Sequence, residues 1–227
     1  MAKKILAFVS AVNTPGKPDA TGAFIPESIK FINDHGPVNG SRRISLPLAA
    51  LQKELRLGYV SGAIESCVLR GEKYDCVAFF CHGWQSGMQT GHDIYHATEL
   101  AASLSNLLVE DGTVALYACS TAGDNDGKDD EKDPSFMATS GFAHDLAKAL
   151  NGHVVFGHTT PGHCTTNPYA QRFCGSEVSG NGQWYIEPGS SLWSKYVSAM
   201  RTDFRFEVPF ITPQEVRARL QRAGKLF

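Results

Sequence analysis

Two continuous apolar runs, YDCVAFFC at 74–81 and TVALYAC at 113–119, constrain the fold of this chain more than any other feature. Each has the length of a strand, and each is apolar throughout, which is typical of a central strand covered on both faces. The segment between them, ATELAASLSNLLVE (97–110), predicts a helix that is stopped by Asp111-Gly112. A strand, a helix and a strand with short connections form a crossover, so we expect the two strands to be parallel neighbours.

Strand and helix patterns alternate through most of the chain, which predicts a single α/β domain over residues 1–227. We expect a three-layer sandwich with a mostly parallel central sheet, a core at about 1–160, and a loop, a hairpin and a C-terminal helix over 161–227. The further predicted strands lie at 3–9, 42–48 and 153–157, with a hairpin around 179–187. Two helices are predicted in the first part of the chain, one from Ile25 to Gly36 and one from Leu48 that stops at Gly58. Two more are predicted later, one capped by Asp133 with Pro134 as its first residue, and a last one that begins at Thr212, Pro213 and Glu215.

The composition excludes several classes of protein. A net charge of -2, with 42% apolar and 19% charged residues, argues against disorder, nucleic-acid binding and a membrane-surface protein. No segment approaches the roughly 18 to 20 apolar residues of a membrane span, and MAKKILAFVSAV fits a first strand better than a signal peptide. We therefore expect a cytoplasmic protein whose six cysteines are reduced thiols.

A histidine and a cysteine lie at the points where the two predicted strands end. His82 is the first residue after one run, and Cys119 closes the next. Loops at the carboxyl ends of parallel strands converge at one edge, where open sheets bind their ligands. His82 would act there as general base and acid, while the Cys119 thiolate attacks a carbonyl carbon. The backbone N–H groups of Gly83 and Cys119 would stabilise the oxyanion.

This pattern resembles a known family. An apolar strand ending in His-Gly, here Phe79 to Gly83, followed by one ending in Ala-Cys, here Leu116 to Cys119, is similar to the caspase-like (clan CD) cysteine peptidases. The resemblance covers roughly residues 74–160 and implies a caspase-like fold, a His82–Cys119 dyad and an oxyanion hole at Gly83. The sequence ACSTA departs from the caspase pentapeptide, so the likeness is to the divergent bacterial metacaspase, CHAT and clostripain-type members. The implied activity is hydrolysis of protein or peptide substrates through a thioester acyl-enzyme, with no cofactor required.

Two other interpretations remain open. The fold could carry a catalytically silent module that binds a partner or calcium. Alternatively, Ser120, flanked by Ala118 and Ala122, could be the nucleophile of an α/β serine hydrolase, although the strict G-x-S-x-G motif is absent. A reactive Cys119 thiolate would distinguish the peptidase from the silent module, and an activity that depends on Ser120 would instead indicate the serine hydrolase.

An acidic segment, DNDGKDDEKD at 124–133, follows the cysteine. Its simplest interpretation is a solvated insertion. Asp124, Asp126 and Asp129 around Gly127 would also suit calcium, although the segment does not follow a full EF-hand loop. In the family that it resembles, this position often carries a maturation cleavage site. Carboxylates close to the nucleophile, of which Asp124 is the first along the chain, would favour a substrate with a basic residue before the scissile bond.

Further loop residues are candidates for contact with substrate or metal. Trp84 follows Gly83, and His158 and Thr159 follow the next predicted strand at the same edge, so these residues could form walls of a substrate cleft. His92 and His96 have a spacing that suits zinc on a helix. However, Gly91 and Asp93 favour a loop there, and no third candidate ligand lies at a spacing typical of a zinc site.

Overall fold

A computed structural model describes residues 3–11, 20–36, 40–123, 141–158, 170–180, 183–184 and 210–211. Its helices are α1 Phe24–His35, α2 Lys53–Leu69, α3 Ala97–Ser105 and α4 Phe142–Ala149, with short 3-10 helices at Ala20–Ala23, Leu48–Ala50 and Ile94–His96. Its strands are β1 Ile5–Ser10, β2 Arg42–Leu46, β3 Tyr74–Phe80, β4 Gly83–Trp84, β5 Gly87–Met88, β6 Leu108–Tyr117, β7 Val154–Gly157, β8 Gln171–Cys174, β9 Glu177–Gly180, β10 Gln183–Trp184 and β11 Phe210–Ile211.

The main sheet has seven strands in the order β2-β1-β3-β6-β7-β8-β9. The strands from β2 through β7 in this order pair in parallel, while β8 and β9 are antiparallel additions at one side. The two apolar runs form β3 and β6, which are parallel neighbours joined through α3. The predicted crossover is therefore confirmed.

Both faces of the sheet are covered, because successive side chains of each strand enter two separate apolar clusters. Phe8 and Phe79 lie in a large cluster with side chains of α2, α3 and α4. Their neighbours along the strands, Ala7 in β1 and Phe80 in β3, lie in a smaller cluster with Phe31 of α1. Helices on both faces of a mostly parallel sheet make the predicted three-layer α/β sandwich, which is confirmed.

The predicted stop at Gly58 is wrong. The α2 helix runs through Gly58 and Gly62 to Leu69, after a separate 3-10 turn at Leu48–Ala50. A glycine inside a helix costs about 1 kcal/mol relative to alanine, but the same helix buries Val60 and Ile64 in the large cluster. Burial of side chains of this size contributes more than that cost, so packing overrides the local preference of glycine.

The boundary between α3 and β6 also differs from the prediction. The helix ends at Ser105, and β6 already begins at Leu108, within the segment predicted to be helical. The register steps from Tyr74 opposite Leu108 to Cys76 opposite Thr113. Residues 109–112 of β6 thus lie opposite the single residue Asp75 of β3, so the turn residues Asp111 and Gly112 lie in a bulge within the strand and do not end a helix.

The hairpin near the C-terminus lies earlier than predicted. β8 pairs with β9 across a turn at Gly175, where φ is +57°, whereas β10 pairs with β11.

The strands predicted at 3–9, 42–48 and 153–157 and the helix over 25–36 are confirmed. Of the helix predicted from Pro134, the structure shows the part from Phe142, and the predicted caps at Asp133 and Thr212 lie outside the described residues. No helix within the described ranges is both long enough and apolar enough to cross a bilayer.

Candidate active site

The ends of β3 and β6 are in register at one edge of the sheet. Phe80 lies opposite Tyr117, and the Cys81 N–H donates to the Tyr117 carbonyl at 3.4 Å. His82 and Cys119 each follow two residues after this last pair. The structure therefore brings the two predicted catalytic residues to the same edge, at neighbouring strands.

The side chain of His82 is directed toward the face of the sheet that α1 covers. Phe80 and Tyr117 stack at 4.9 Å between ring centroids in the cluster beneath α1. The next residues, Cys81 and Ala118, belong to the cluster on the opposite face. His82 and Cys119 lie beyond the last strand residues, Phe80 and Tyr117, so strand alternation does not fix their direction. A ring contact fixes it for His82, because its imidazole centroid lies 5.1 Å from the Phe24 ring centroid at the start of α1.

Gly83 lies in close contact with the backbone that carries Cys119. A Cβ atom added at Gly83 would lie 2.7 Å from the Ala118 Cβ and 2.8 Å from the Cys119 carbonyl oxygen. Real Cβ atoms essentially never approach other heavy atoms this closely. Glycine is therefore needed here for the loop after β3 to lie against the turn after β6.

A small hairpin of β4 and β5 orients the backbone of Gly83. At its base, the Gln89 N–H donates to the His82 carbonyl at 2.8 Å, and the His82 N–H donates to the Gln89 Oε1 at 3.3 Å. The next pair, Gly83 opposite Met88, is then of the type without inter-strand hydrogen bonds. Accordingly, the Met88 N–H donates to the His92 carbonyl at 2.9 Å. The N–H of Gly83 thus points away from β5.

The turn after β6 is tight and contains a backbone outlier. Ser120, directly after Cys119, has φ of +58°, a conformation that residues other than glycine seldom adopt. The Thr121 Oγ1 donates to the Ala118 carbonyl at 3.1 Å, and the Ala122 N–H donates to the His158 carbonyl at 2.9 Å. Such outliers cost about 1–3 kcal/mol each and cluster at functional sites, where the surrounding contacts hold them.

The first turn of α4 joins the two loops that carry the candidate residues. The Phe142 N–H donates to the Gln85 carbonyl at 2.9 Å, and the Ala143 N–H donates to the Thr121 carbonyl at 2.9 Å. The first N–H groups of a helix have no partner within it, so they are available for such contacts. One helix end therefore clamps the loop after His82 to the turn after Cys119.

The cysteines near the site differ in exposure. Cys81 is buried, and burial raises the pKa of its thiol to about 12. Burial likewise raises the pKa of Cys76 to about 11. Both thiols stay protonated at neutral pH and fill the core, as predicted. Cys119, by contrast, is only partly buried.

The other predicted contact residues are distributed unevenly. Trp84 is 43% exposed beside Gly83, whereas His158 is 1% exposed and packs with its ring centroid 5.3 Å from that of Tyr117. Contact of either residue with substrate stays a prediction. Thr159 and the acidic-loop residues Asp124, Asp126 and Asp129 lie outside the described residues.

The two histidines considered as metal ligands have protein partners. The His92 Nδ1 lies 3.0 Å from the Thr90 Oγ1, and burial lowers the pKa of His92 to about 4. The His96 Nδ1 lies 2.6 Å from the Asp93 Oδ1. Across the described ranges, no group of three or more His, Cys, Asp or Glu side chains is arranged to hold a metal ion.

Phe24 and Gln89 contact His82 but were not among the candidates from sequence. Phe24 lies 58 residues before His82 in the chain, so only the packing of α1 on the sheet brings the two rings together. Gln89 lies in a polar loop in which nothing distinguishes it from its neighbours. The low exposure of Gln89, 6%, indicates a specific role, but this burial exists only in the folded loop and not in the sequence.

No protein-family model and no curated protein matches this chain. Among solved structures, the crystal structure of prephenate dehydrogenase from A. aeolicus in complex with hydroxyphenyl propionate and NAD+ overlaps with 97% of this chain and 64% of that chain. The chain thus spans slightly less than two thirds of that protein. The sequence identity is 14% and the TM-score is 0.34, an overlap too weak to carry an argument about fold or activity.

Proposed function

We propose that this protein is a cysteine endopeptidase with a His82–Cys119 dyad. One observation carries the proposal: His82 and Cys119 follow neighbouring parallel strands whose last pair is Phe80 opposite Tyr117. This arrangement is the one expected from the resemblance to caspase-like peptidases. The close contact of Gly83 with the Cys119 carbonyl and the outward direction of the Gly83 N–H support it further.

In the proposed mechanism, His82 takes the proton of the Cys119 Sγ, and the resulting thiolate attacks the carbonyl carbon of the scissile peptide bond. The N–H groups of Gly83 and Cys119 donate to the oxyanion of the tetrahedral intermediate. His82 then gives its proton to the leaving amine, which departs and leaves a thioester on Cys119. A water molecule, deprotonated by His82, attacks the thioester and releases the carboxylate product and the free thiol.

The proposed substrate is a protein or peptide with a basic residue before the scissile bond. This preference rests on the acidic segment that begins at Asp124, five residues after the nucleophile. Trp84, with 43% of its surface exposed next to Gly83, would form one wall of the substrate site. Calcium at Asp124, Asp126 and Asp129 is a regulatory proposal, and the chemistry itself requires no cofactor.

The experiment exposes a proteome-derived peptide mixture to the wild type and to Cys119→Ala, His82→Ala and Ser120→Ala, with calcium and with a chelator. New termini are read by mass spectrometry. We expect cleavage by the wild type and Ser120→Ala, and none by Cys119→Ala or His82→Ala. Cleavage that depends on Ser120 and not on Cys119 would instead identify a serine hydrolase.

A second measurement separates the peptidase from a silent binding module of the same fold. An ordinary cysteine has a pKa of about 8.5 and reacts slowly with iodoacetamide below that pH. A dyad predicts fast alkylation of Cys119 near pH 6, and a marked loss of that rate in His82→Ala. Absence of cleavage together with slow alkylation of Cys119 that His82→Ala leaves unchanged would overturn the proposal.

A further inference from the structure

We propose that Gln89 is a positioning residue that holds the backbone of His82 and so directs the imidazole toward Cys119 and the Gly83 N–H toward the oxyanion. This inference rests on the proposed function. It concerns a residue that touches no reacting atom. Gln89 would act through the peptide groups on either side of the His82 Cα atom.

The first argument is the unusual pairing at the base of the hairpin. In a regular antiparallel pair, two residues exchange two hydrogen bonds between their backbones. Here the Gln89 N–H donates to the His82 carbonyl at 2.8 Å, but the return bond, 3.3 Å long, runs from the His82 N–H to the side-chain oxygen of Gln89. Because a backbone N–H can only donate, the amide oxygen of Gln89 and not its nitrogen must face His82.

The second argument is that the Gln89 backbone carbonyl has a different partner. It accepts from Arg56 Nη1 at 3.4 Å, and the Arg56 Nε donates to the Leu51 carbonyl at 2.7 Å. A side-chain oxygen therefore takes the place in the ladder that the carbonyl would otherwise fill. This exchange ties His82, through Gln89, to the first turn of α2.

The third argument is burial. Gln89 is 6% exposed, although a glutamine is usually found at the surface. A buried amide is tolerated where its hydrogen bonds are made, so its burial here matches a specific task at His82. Further contacts hold the same loop against α2, since Lys53 pairs with Asp93 at 2.7 Å and a Cβ at Gly91 would lie 2.9 Å from the Lys53 carbonyl.

The consequence concerns two catalytic groups at once. The His82 N–H and carbonyl fix the plane on each side of its Cα atom, and hence the direction in which the imidazole leaves the backbone. The same pairing makes Gly83 a position without inter-strand hydrogen bonds, which leaves its N–H directed away from β5. Loss of the Gln89 oxygen would let both groups drift, and displacements of about 1 Å can cost roughly 100-fold in rate.

The test compares Gln89→Met, which keeps the size of the side chain but removes the acceptor, with Gln89→Glu, which keeps an oxygen at the same place. The matched control is Thr90→Val, because Thr90 is also buried in the same loop but its hydroxyl bonds His92. Steady-state kinetics are measured on a peptide identified in the cleavage experiment. The alkylation rate of Cys119 at pH 7 and the amide proton shift of His82 by NMR are measured for each variant.

For Gln89→Met we expect kcat to fall roughly 10- to 100-fold with KM nearly unchanged. The alkylation rate of Cys119 should fall with it, and the His82 amide proton should move upfield as it loses its acceptor. Gln89→Glu should recover most of the rate, and Thr90→Val should keep the wild-type kcat even if it is less stable.

Wild-type kinetics and an unmoved His82 amide signal in Gln89→Met would overturn the inference while the peptidase proposal stands. An equal loss of kcat in Thr90→Val would also overturn it, because the loop would then matter only as a scaffold. A wild type that cleaves nothing, with Cys119 alkylation unaffected by His82→Ala, would overturn the proposed function and this inference with it.

Discussion

The ring of Phe24, the first residue of α1, packs edge-on against the imidazole of His82, with 5.1 Å between the ring centroids. About two turns along the same helix, Phe31 packs against Phe80 and Tyr117 with 5.7 and 5.3 Å between ring centroids. The helix therefore covers both the core of the sheet and the candidate catalytic histidine. Its first residue is suited to limit the rotation of the His82 side chain.

Replacing Phe24 by leucine should impair catalysis more than stability. We expect Phe24→Leu to lose roughly 1 to 2 kcal/mol in the free energy of unfolding, and to lower kcat about 10-fold because the imidazole is less restrained. The control is Phe31→Leu, which should lose similar stability while keeping kcat near the wild-type value. Urea denaturation and peptide cleavage measure the two effects, and equal kcat values in the two variants would contradict a specific role for Phe24.

Gly83→Ala should abolish the proposed peptidase activity. The added methyl group would meet the Ala118 Cβ at 2.7 Å and the Cys119 carbonyl at 2.8 Å, and the backbone contact cannot relax without moving the turn after β6. We expect a loss of roughly 1 to 3 kcal/mol in the free energy of unfolding from overpacking, and at least about a 100-fold loss of kcat/KM. Cleavage kinetics, with circular dichroism to verify folding, measure the effect. Wild-type activity in a folded Gly83→Ala protein would rule out the close approach as a catalytic requirement.

Gly58→Ala and Gly62→Ala should each stabilise the protein. Both glycines lie inside α2, and a Cβ at either position would meet no atom within 4 Å. Alanine restricts the unfolded chain and favours the helix, so each substitution should add about 0.5 to 1 kcal/mol to the free energy of unfolding. Urea denaturation is the measurement, and catalysis should not change because neither position contacts the loops after β3 and β6. A destabilised Gly58→Ala protein would mean that this face of α2 is covered.

Protonation of His92 should destabilise the fold as the pH falls. Burial, reinforced by the nearby His96, lowers the pKa of His92 from 6.5 to about 4 in the folded state. The unfolded chain therefore binds the proton first, so the stabilisation is complete above about pH 6.5 and is lost as the pH falls toward 4, by at most about 3 kcal/mol. Glu72, whose pKa is held at about 2 by a hydrogen bond from Arg70, acts mainly below this range.

The measurement is the free energy of unfolding from urea titrations at several pH values between 4 and 7, for the wild type and His92→Asn. We expect the wild-type curve to fall more steeply, because the variant has no group that titrates at this position. The variant should be less stable at pH 7, where the buried neutral imidazole packs and bonds Thr90. Parallel curves would show that His92 does not account for the acid destabilisation.

The crossover at the centre of the fold could be predicted from sequence because both of its strands are apolar throughout and the connections are short. Where local pattern was the only evidence, it misled: Gly58 favours a helix end, and LLVE at 107–110 fits a helix as well as a strand. Burial of Val60 and Ile64 decided the first case, and pairing of Leu108 with Tyr74 decided the second. Neither interaction is visible within a local window of sequence.

The candidate dyad belongs to the predictable part, and its surroundings do not. His82 and Cys119 could be singled out because His82 directly follows one apolar run and Cys119 closes the other, and the rule for parallel sheets brings such positions to one edge. The contacts of Phe24 and Gln89 with His82 depend on how α1 and the β4–β5 hairpin pack against the sheet. A calcium site at Asp124, Asp126 and Asp129 and contact of Thr159 with substrate stay predictions.

The sequence by itself determined the α/β class, the neighbouring strands and the positions of His82, Gly83 and Cys119 along them, because these follow from hydrophobic patterns and from a side-chain alternation that is local in the chain. Only the tertiary structure decided which ring packs on His82, why Gly83 has no room for a side chain, and which side chain bonds the His82 backbone. Those features arise from contacts between segments far apart in sequence, whose energies depend on packing distance and not on residue pattern.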